Sequence, residues 1–232
     1  MAHDVIVMHG SKREARNTEL ESRLDTLMES QGQYSVAFIE SHERSICRVV
    51  GRLAGEGERD FNIIPLLFFS ASHYSRDIPK ALEHLKAEYQ DMRWTVAPPV
   101  GTHHLMARFV EGRVAELAVE DVTIIVMAHG NEDYPQADRE LKQLVANLDI
   151  RMPAHPATLY GELSVERLSE QLDRAGDFII VPIDLEDGFL TGKMEKAVEG
   201  ILPEGSITFA PSVNFSPILA AIIQDHMKLG KK

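Results

Sequence analysis

Val5-Ile6-Val7-Met8-His9-Gly10-Ser11 is the stretch that decides how this chain folds. Four apolar residues, two of them valines, read as a strand buried on both faces, and His-Gly opens a polar loop behind it. The same device returns in Ile124-Ile125-Val126-Met127-Ala128-His129-Gly130-Asn131. A strand ending this way puts an imidazole at the carboxyl edge of a sheet, where open parallel sheets bind their ligands. Two such edges predict a duplicated domain.

Outward from the first edge, strands are expected at Asp4–Met8, Tyr34–Glu40, Phe61–Phe69 and Trp94–Val100. Between them Leu20/Leu24/Leu27, Ile46/Val49/Val50/Leu53 and Ile78/Leu82/Leu85 repeat at helical spacing, and Met106/Phe109/Val110/Val114/Leu117 continue the pattern. The second half repeats the rhythm, with strands at 122–128, 157–162, 178–185 and 206–213 and helices near 136–148, 164–174, 193–201 and 217–227. Short segments also match. SVAFIE (from Ser35) answers ATLYGE (from Ala157), pairing Glu40 with Glu162, and IIPLLFF (from Ile63) answers IIVPIDL (from Ile179). Alternating βα units favour parallel sheets covered by helices. The fold class expected is therefore α/β: two tandem Rossmann-like domains, 1–119 and 120–232, each a four-stranded parallel sheet flanked by helices. The join is placed near Ala118–Asp121.

Composition narrows the function. The net charge of −12 argues against nucleic acid or an anionic membrane as partner. The single cysteine, Cys47, excludes an internal disulfide and a multi-cysteine metal site. No run approaches the roughly 18 apolar residues of a membrane span, and MAHDVIVMHG does not read as a signal peptide, so a cytoplasmic location is expected.

Three ionisable residues, His9, Glu40 and His73, each follow a successive strand of the first half. Neighbouring strands lie about 4.8 Å apart, so their ends converge on one edge. Two imidazoles and a carboxylate suit a divalent ion such as Fe²⁺, Co²⁺ or Zn²⁺, and equally suit acid–base work near neutral pH. Geometry alone leaves a metal site, a hydrolase and a binding module open. Lys12, Arg13 and Arg16 directly follow the first His-Gly, and Arg44, Arg76 and Lys80 follow other strands, a candidate basic patch for an anionic substrate.

The motif His9-Gly10-Ser11-Lys12-Arg13-x-x-x-Asn17, then VAFIE, then P-L-x-F-x-x-x-H-x-x-x-D-I-P from Pro65 to Pro79, resembles the sirohydrochlorin chelatases, small class II chelatases of the CbiX/SirB type. The second half looks like the second repeat of two-domain members. The resemblance implies a lyase inserting Co²⁺ or Fe²⁺ into sirohydrochlorin, for cobalamin or sirohaem. It implies His9 and His73 as catalytic and metal-holding residues, with Glu40 as carboxylate partner. Ser11, Lys12, Arg13, Arg16, Arg44 and Arg76 become candidates for gripping the substrate's carboxylates, to which arginine is suited. The metal is expected as substrate and no permanently bound cofactor is expected, with the protein a monomer or homodimer. A non-catalytic metal or tetrapyrrole carrier is the alternative. A hydrolase is disfavoured by the lack of a G-x-S-x-G elbow.

The second half departs from the motif. Leu190 stands where His73 does, Lys193-Met194 replaces Arg76-Asp77, and Asn131-Glu132-Asp133 replaces the basic loop. A single working edge, in the first half, is expected.

Overall fold

The computed structural model describes residues 2–29, 32–117, 121–172, 176–202 and 206–231. Two four-stranded, all-parallel sheets are formed, with orders β2-β1-β3-β4 and β6-β5-β7-β8. The first comprises β1 (His3–Met8), β2 (Tyr34–Phe38), β3 (Asp60–Pro65) and β4 (Arg93–Val96). Its helices are α1 (Glu14–Met28), α2 (Ile46–Gly55) and α3 (Ile78–Glu88). The second comprises β5 (Thr123–Ala128), β6 (Ala154–Thr158), β7 (Asp177–Pro182) and β8 (Ser206–Phe209). It carries α5 (Pro135–Ala146), α6 (Val165–Ser169) and α7 (Phe189–Ile201). Two further helices are α4 (His104–Leu117) and α8 (Pro217–Met227). No described helix is long and apolar enough to cross a membrane.

The central strands carry unbroken apolar runs, Val5–Met8 in β1 and Ile124–Ala128 in β5, because helices cover both faces. Val5, Ile6, Val7 and Met8 have no exposed surface, nor do Ile125, Val126 and Met127. On one face of the first sheet, Val5, Val7, Phe61 and Ile63 pack with Ile46, Val50 and Leu53 of α2 and Leu82 and Leu85 of α3. The corresponding face of the second sheet packs Ile125, Met127, Phe178 and Ile180 with Val165 of α6 and Met194 and Val198 of α7.

Packing divides the chain differently from the sequence repeat. The compact units are Met1–Val100 with Phe215–Lys232, and Gly101–Asn214. Helix α8, from the end of the second repeat, packs on β3 and α1. There Asn62 of β3 donates to Asp4 at 2.6 Å and to the backbone carbonyl of His226 at 3.1 Å. Helix α4, from the end of the first repeat, packs on β7 and α5. The join expected at 119/120 falls within residues 118–120, which lie outside the described residues, as do 173 and 174 of the helix expected at 164–174.

Several strands are shorter at their carboxyl ends than apolarity suggests, because the chain turns away there into the loops of the site. One is displaced. β6 begins at Ala154 rather than 157 and contains Pro156, which is tolerated because β6 is an edge strand with one side free of ladder bonds.

Candidate active site

In the order β2-β1-β3-β4 the chain leaves β1 toward one side and returns past it to the other, so β1 and β3 flank the switch point. His9 ends β1 and His73 lies beyond β3, one on each flank. His9, Glu40 and His73 each offer one nitrogen or oxygen, and the three atoms lie within 4.8 Å of one another. The rings of His9 and His73 meet edge to face, centroids 4.7 Å apart and 79° between planes. Among the described residues this is the only group of three or more His, Cys, Asp or Glu that could hold a metal ion.

Both imidazoles have their Nδ1 atoms engaged. That of His9 lies 3.1 Å from the carbonyl of Gly10, and that of His73 lies 2.8 Å from Oδ2 of Asp77. Carbonyls and ionised carboxylates only accept, so each Nδ1 carries a hydrogen, and in the neutral ring each Nε2 keeps its lone pair. Burial pushes the Asp77 carboxyl up, yet the hydrogen bonds and charges of Arg76 and His73 together outweigh it and hold the group below its ordinary value. Asp77 was not among the residues singled out for the site. Its four-residue spacing from His73 becomes a signal only once the turn between them is known.

The loops bearing His9 and Glu40 are tied from below. Gly10 has φ +70°, and a Cβ there would sit 2.7 Å from Phe38, so only glycine fits without a shift. Buried Asn17 takes the Ser11 N–H and donates to the Ser11 carbonyl, both at 2.8 Å. Ser41 donates to Glu14 and accepts the Arg44 N–H at 2.8 Å.

The basic candidates separate. Lys12 and Arg13 are exposed beside His9, and Ser11 is half-buried, its hydroxyl accepting from the Arg13 N–H at 3.2 Å. Arg16 pairs with Glu19 at 2.7 Å. Exposed Arg76 bonds Asp77 through Nε at 2.9 Å. Arg44 is half-buried against Phe38 and pairs with Glu14 at 3.0 Å and Glu21 at 2.5 Å. Its guanidinium is engaged by these two carboxylates, holding the β2 loop to α1.

The edge of the second sheet is built on the same plan with other side chains. Met8 pairs with Phe38, and Ala128 pairs with Thr158. A Cβ on Gly10 would meet Phe38 just as one on Gly130 would meet Thr158. That register puts Tyr160, not Glu162, at the position of Glu40, correcting the pairing read from SVAFIE and ATLYGE. Matching by the shared glutamate slips the strands by two residues, a slip that keeps every side chain on its face and so leaves no trace in the pattern. Tyr160 stands edge to face with His129 at 5.4 Å, and Glu162 is exposed. With Leu190 at the place of His73, no group like that of His9 is assembled among the described residues.

Asp138, fourth residue of α5, stands where Asn17 stands in α1. It is buried, and its Oδ1 has no hydrogen-bond partner. Burial raises its pKa; Lys142 opposes this, the charge of Glu162 adds to it, and a hydrogen bond from the Glu162 backbone opposes it. The folded state thus holds this proton more tightly than the unfolded chain, so at neutral pH the ionised group is a cost that fades as pH falls through the raised pKa. Asp138→Asn is expected to stabilise the protein at pH 7 by about 1 kcal/mol, with the gain disappearing in acid. Urea unfolding at several pH values checks both.

The chain matches the CbiX family model over residues 4–117, the stretch that holds all three converging side chains. It is 30% identical over 113 residues to the sirohydrochlorin cobaltochelatase of Sulfurisphaera tokodaii, covering 49% of this chain and 91% of that protein. It is 23% identical over 191 residues to the sirohydrochlorin ferrochelatase of Bacillus subtilis, covering 78% and 73%. Among solved structures, SirB from Bacillus subtilis with Fe³⁺ shares the fold with a TM-score of 0.83 at 19% identity, over 99% of this chain and 96% of that one. SirB from Bacillus subtilis subspecies spizizenii in complex with cobalt does so at 0.76 and 18%, over 99% and 95%. A family model that takes in the converging histidines, and 30% identity along nearly all of a curated cobaltochelatase, establish that the chain belongs to the sirohydrochlorin chelatases of the CbiX/SirB type.

Proposed function

We propose that this protein inserts Co²⁺ or Fe²⁺ into sirohydrochlorin at the edge formed by His9, Glu40 and His73. The observation that carries the reading is the convergence of two imidazoles and a carboxylate within 4.8 Å at the switch point of the first sheet. Insertion binds the ion to the pyrrole nitrogens, sheds its water and releases two protons. The residues present suit each step. Ligands about 2.1 Å from a metal in a closed tetrahedron lie about 3.4 Å apart; a set spread over as much as 4.8 Å, with His9 exposed, holds an ion loosely enough to hand it on. Glu40 and an imidazole not holding the metal accept the protons. Exposed Lys12 and Arg13, beside His9, meet the substrate's carboxylates, and Arg76 flanks His73. Arg44 contributes by bracing the loop instead.

The two names borne by the curated relatives, cobaltochelatase and ferrochelatase, match a donor set that serves either ion. The test mixes purified protein with sirohydrochlorin and Co²⁺ or Fe²⁺, separately and in competition, and follows the change in absorbance. Acceleration over the uncatalysed rate is expected with both ions. Tight binding of the tetrapyrrole without acceleration by either would replace the reading with a carrier.

A further inference from the structure

We infer that Asp77 is the positioning residue of this site: from behind His73 it sets which ring nitrogen faces the metal, and it is itself held in place by Arg76. The inference deepens the reading above and depends on it only where insertion is measured.

Both oxygens of the Asp77 carboxylate are committed, Oδ2 to Nδ1 of His73 at 2.8 Å and Oδ1 to Nε of Arg76 at 2.9 Å. A carboxylate engaged through both oxygens is held in place, and toward His73 it can only accept, from Nδ1–H. His73 is therefore locked in the tautomer whose Nε2 bears the lone pair. A carboxylate on the far nitrogen also makes an imidazole a better ligand and fixes the plane of its ring.

The backbone serves the same contact. Residues His73–Asp77 form a single π turn ahead of α3, in which the N–H of Ile78 reaches the carbonyl of His73. Wide turns of this kind are rare overall and frequent at functional sites. Here the turn brings two side chains four residues apart into contact. In the second unit Leu190 and Met194 occupy the places of His73 and Asp77, and α7 starts directly at Phe189 without such a turn. Met194 is buried in that unit's core. Where the histidine is missing, its carboxylate and its turn are missing with it.

The two imidazoles consequently differ. His9 is exposed and its Nδ1 meets only a neutral carbonyl at 3.1 Å, whereas His73 is half-buried and backed by a charge. His73 is the anchored ligand, and His9 is the one that yields as the ion passes to the pyrrole nitrogens.

The test uses the whole protein with Asp77→Ala, the isosteric Asp77→Asn and the conservative Asp77→Glu. Co²⁺ alone is titrated by calorimetry, the His73 tautomer is read from long-range ¹H–¹⁵N spectra of metal-free protein, and kcat and KM for sirohydrochlorin are measured. Wild-type His73 is expected as the Nδ1–H tautomer. Asp77→Ala should bind Co²⁺ about 10–100-fold more weakly, with kcat lowered and the KM for the tetrapyrrole little changed. In Asp77→Asn an amide nitrogen facing Nδ1 would select the opposite tautomer, visible in the spectrum. Asp77→Glu should recover part of the Co²⁺ affinity. Wild-type Co²⁺ affinity and an unchanged tautomer in Asp77→Ala would overturn the inference, and should that variant not fold, the same two readings on Asp77→Asn decide. A wild-type protein that inserts neither metal would overturn the proposed function, while the tautomer and Co²⁺ affinity would still decide the role of Asp77.

Discussion

Replacing His9, the imidazole free to accept a proton once it yields the ion, or His73, the anchored ligand, by alanine is expected to slow metal insertion by about 10²-fold or more, while the protein stays folded. His9 is exposed and outside the core, so its loss should change stability by no more than about 0.5 kcal/mol. His73 gives up its contact with Asp77, which keeps Arg76 as partner. Neither substitution touches the packing of β1 or β3, so circular dichroism and thermal melting should match the wild type. The matched control is His129→Ala. That histidine follows β5 as His9 follows β1, but its ring meets Tyr160, and no metal-capable trio like that of His9 is assembled around it among the described residues. Its removal should leave the insertion rate within about twofold, a difference too small to represent a transition-state contact. Equal losses at His9 and His129 in the absorbance assay would mean the second edge shares the chemistry.

Removing residues 215–232 is expected to unfold the first unit even though β1–β4 and α1–α3 remain in the chain. Helix α8 buries Leu219, Ile222 and Ile223 completely and Met227 almost so. At about 1.5–3 kcal/mol for each buried apolar side chain, four of them supply about 6–12 kcal/mol, an upper bound since unfolded chains already bury some surface. A whole domain is stable by only about 5–15 kcal/mol. The deletion also strips Asn62 of the His226 carbonyl and uncovers the sheet face that α8 protects. The single change Ile222→Ala is expected to cost about 2–5 kcal/mol. Urea titration followed by circular dichroism should show no cooperative transition for the first unit in the deletion, and β1 and β3 amides should lose protection from exchange. A deleted chain that melts like the full one would show that α8 is dispensable to that unit.

Much of this was written in the order of residues. The buried runs of β1, β3, β5 and β7 announce parallel sheets because a strand covered on both faces has no reason to alternate. The two His-Gly strand ends marked the carboxyl edges, and the ends of three successive strands of the first half brought His9, Glu40 and His73 within reach of one another. Periodicity fails where the question is which partner a residue chooses. The apolar stripes of α4 and α8 would fit either sheet, so their places in opposite units could not be read from them. Arg44 carries the same charge as Lys12 and Arg13, and only the approach of Glu14 and Glu21 from α1 turns it into a brace.

By itself, then, the order of residues determined two doubly wound sheets and the edge at which two imidazoles and a carboxylate converge, because burial and strand direction are local properties repeated along the chain. Tertiary structure alone decided that Asp77 stands behind His73, that Tyr160 rather than Glu162 answers Glu40, and that the last helix completes the first unit. Each of these depends on distance, register or burial between segments far apart or on an irregular turn, and no count of residues along a chain contains those quantities.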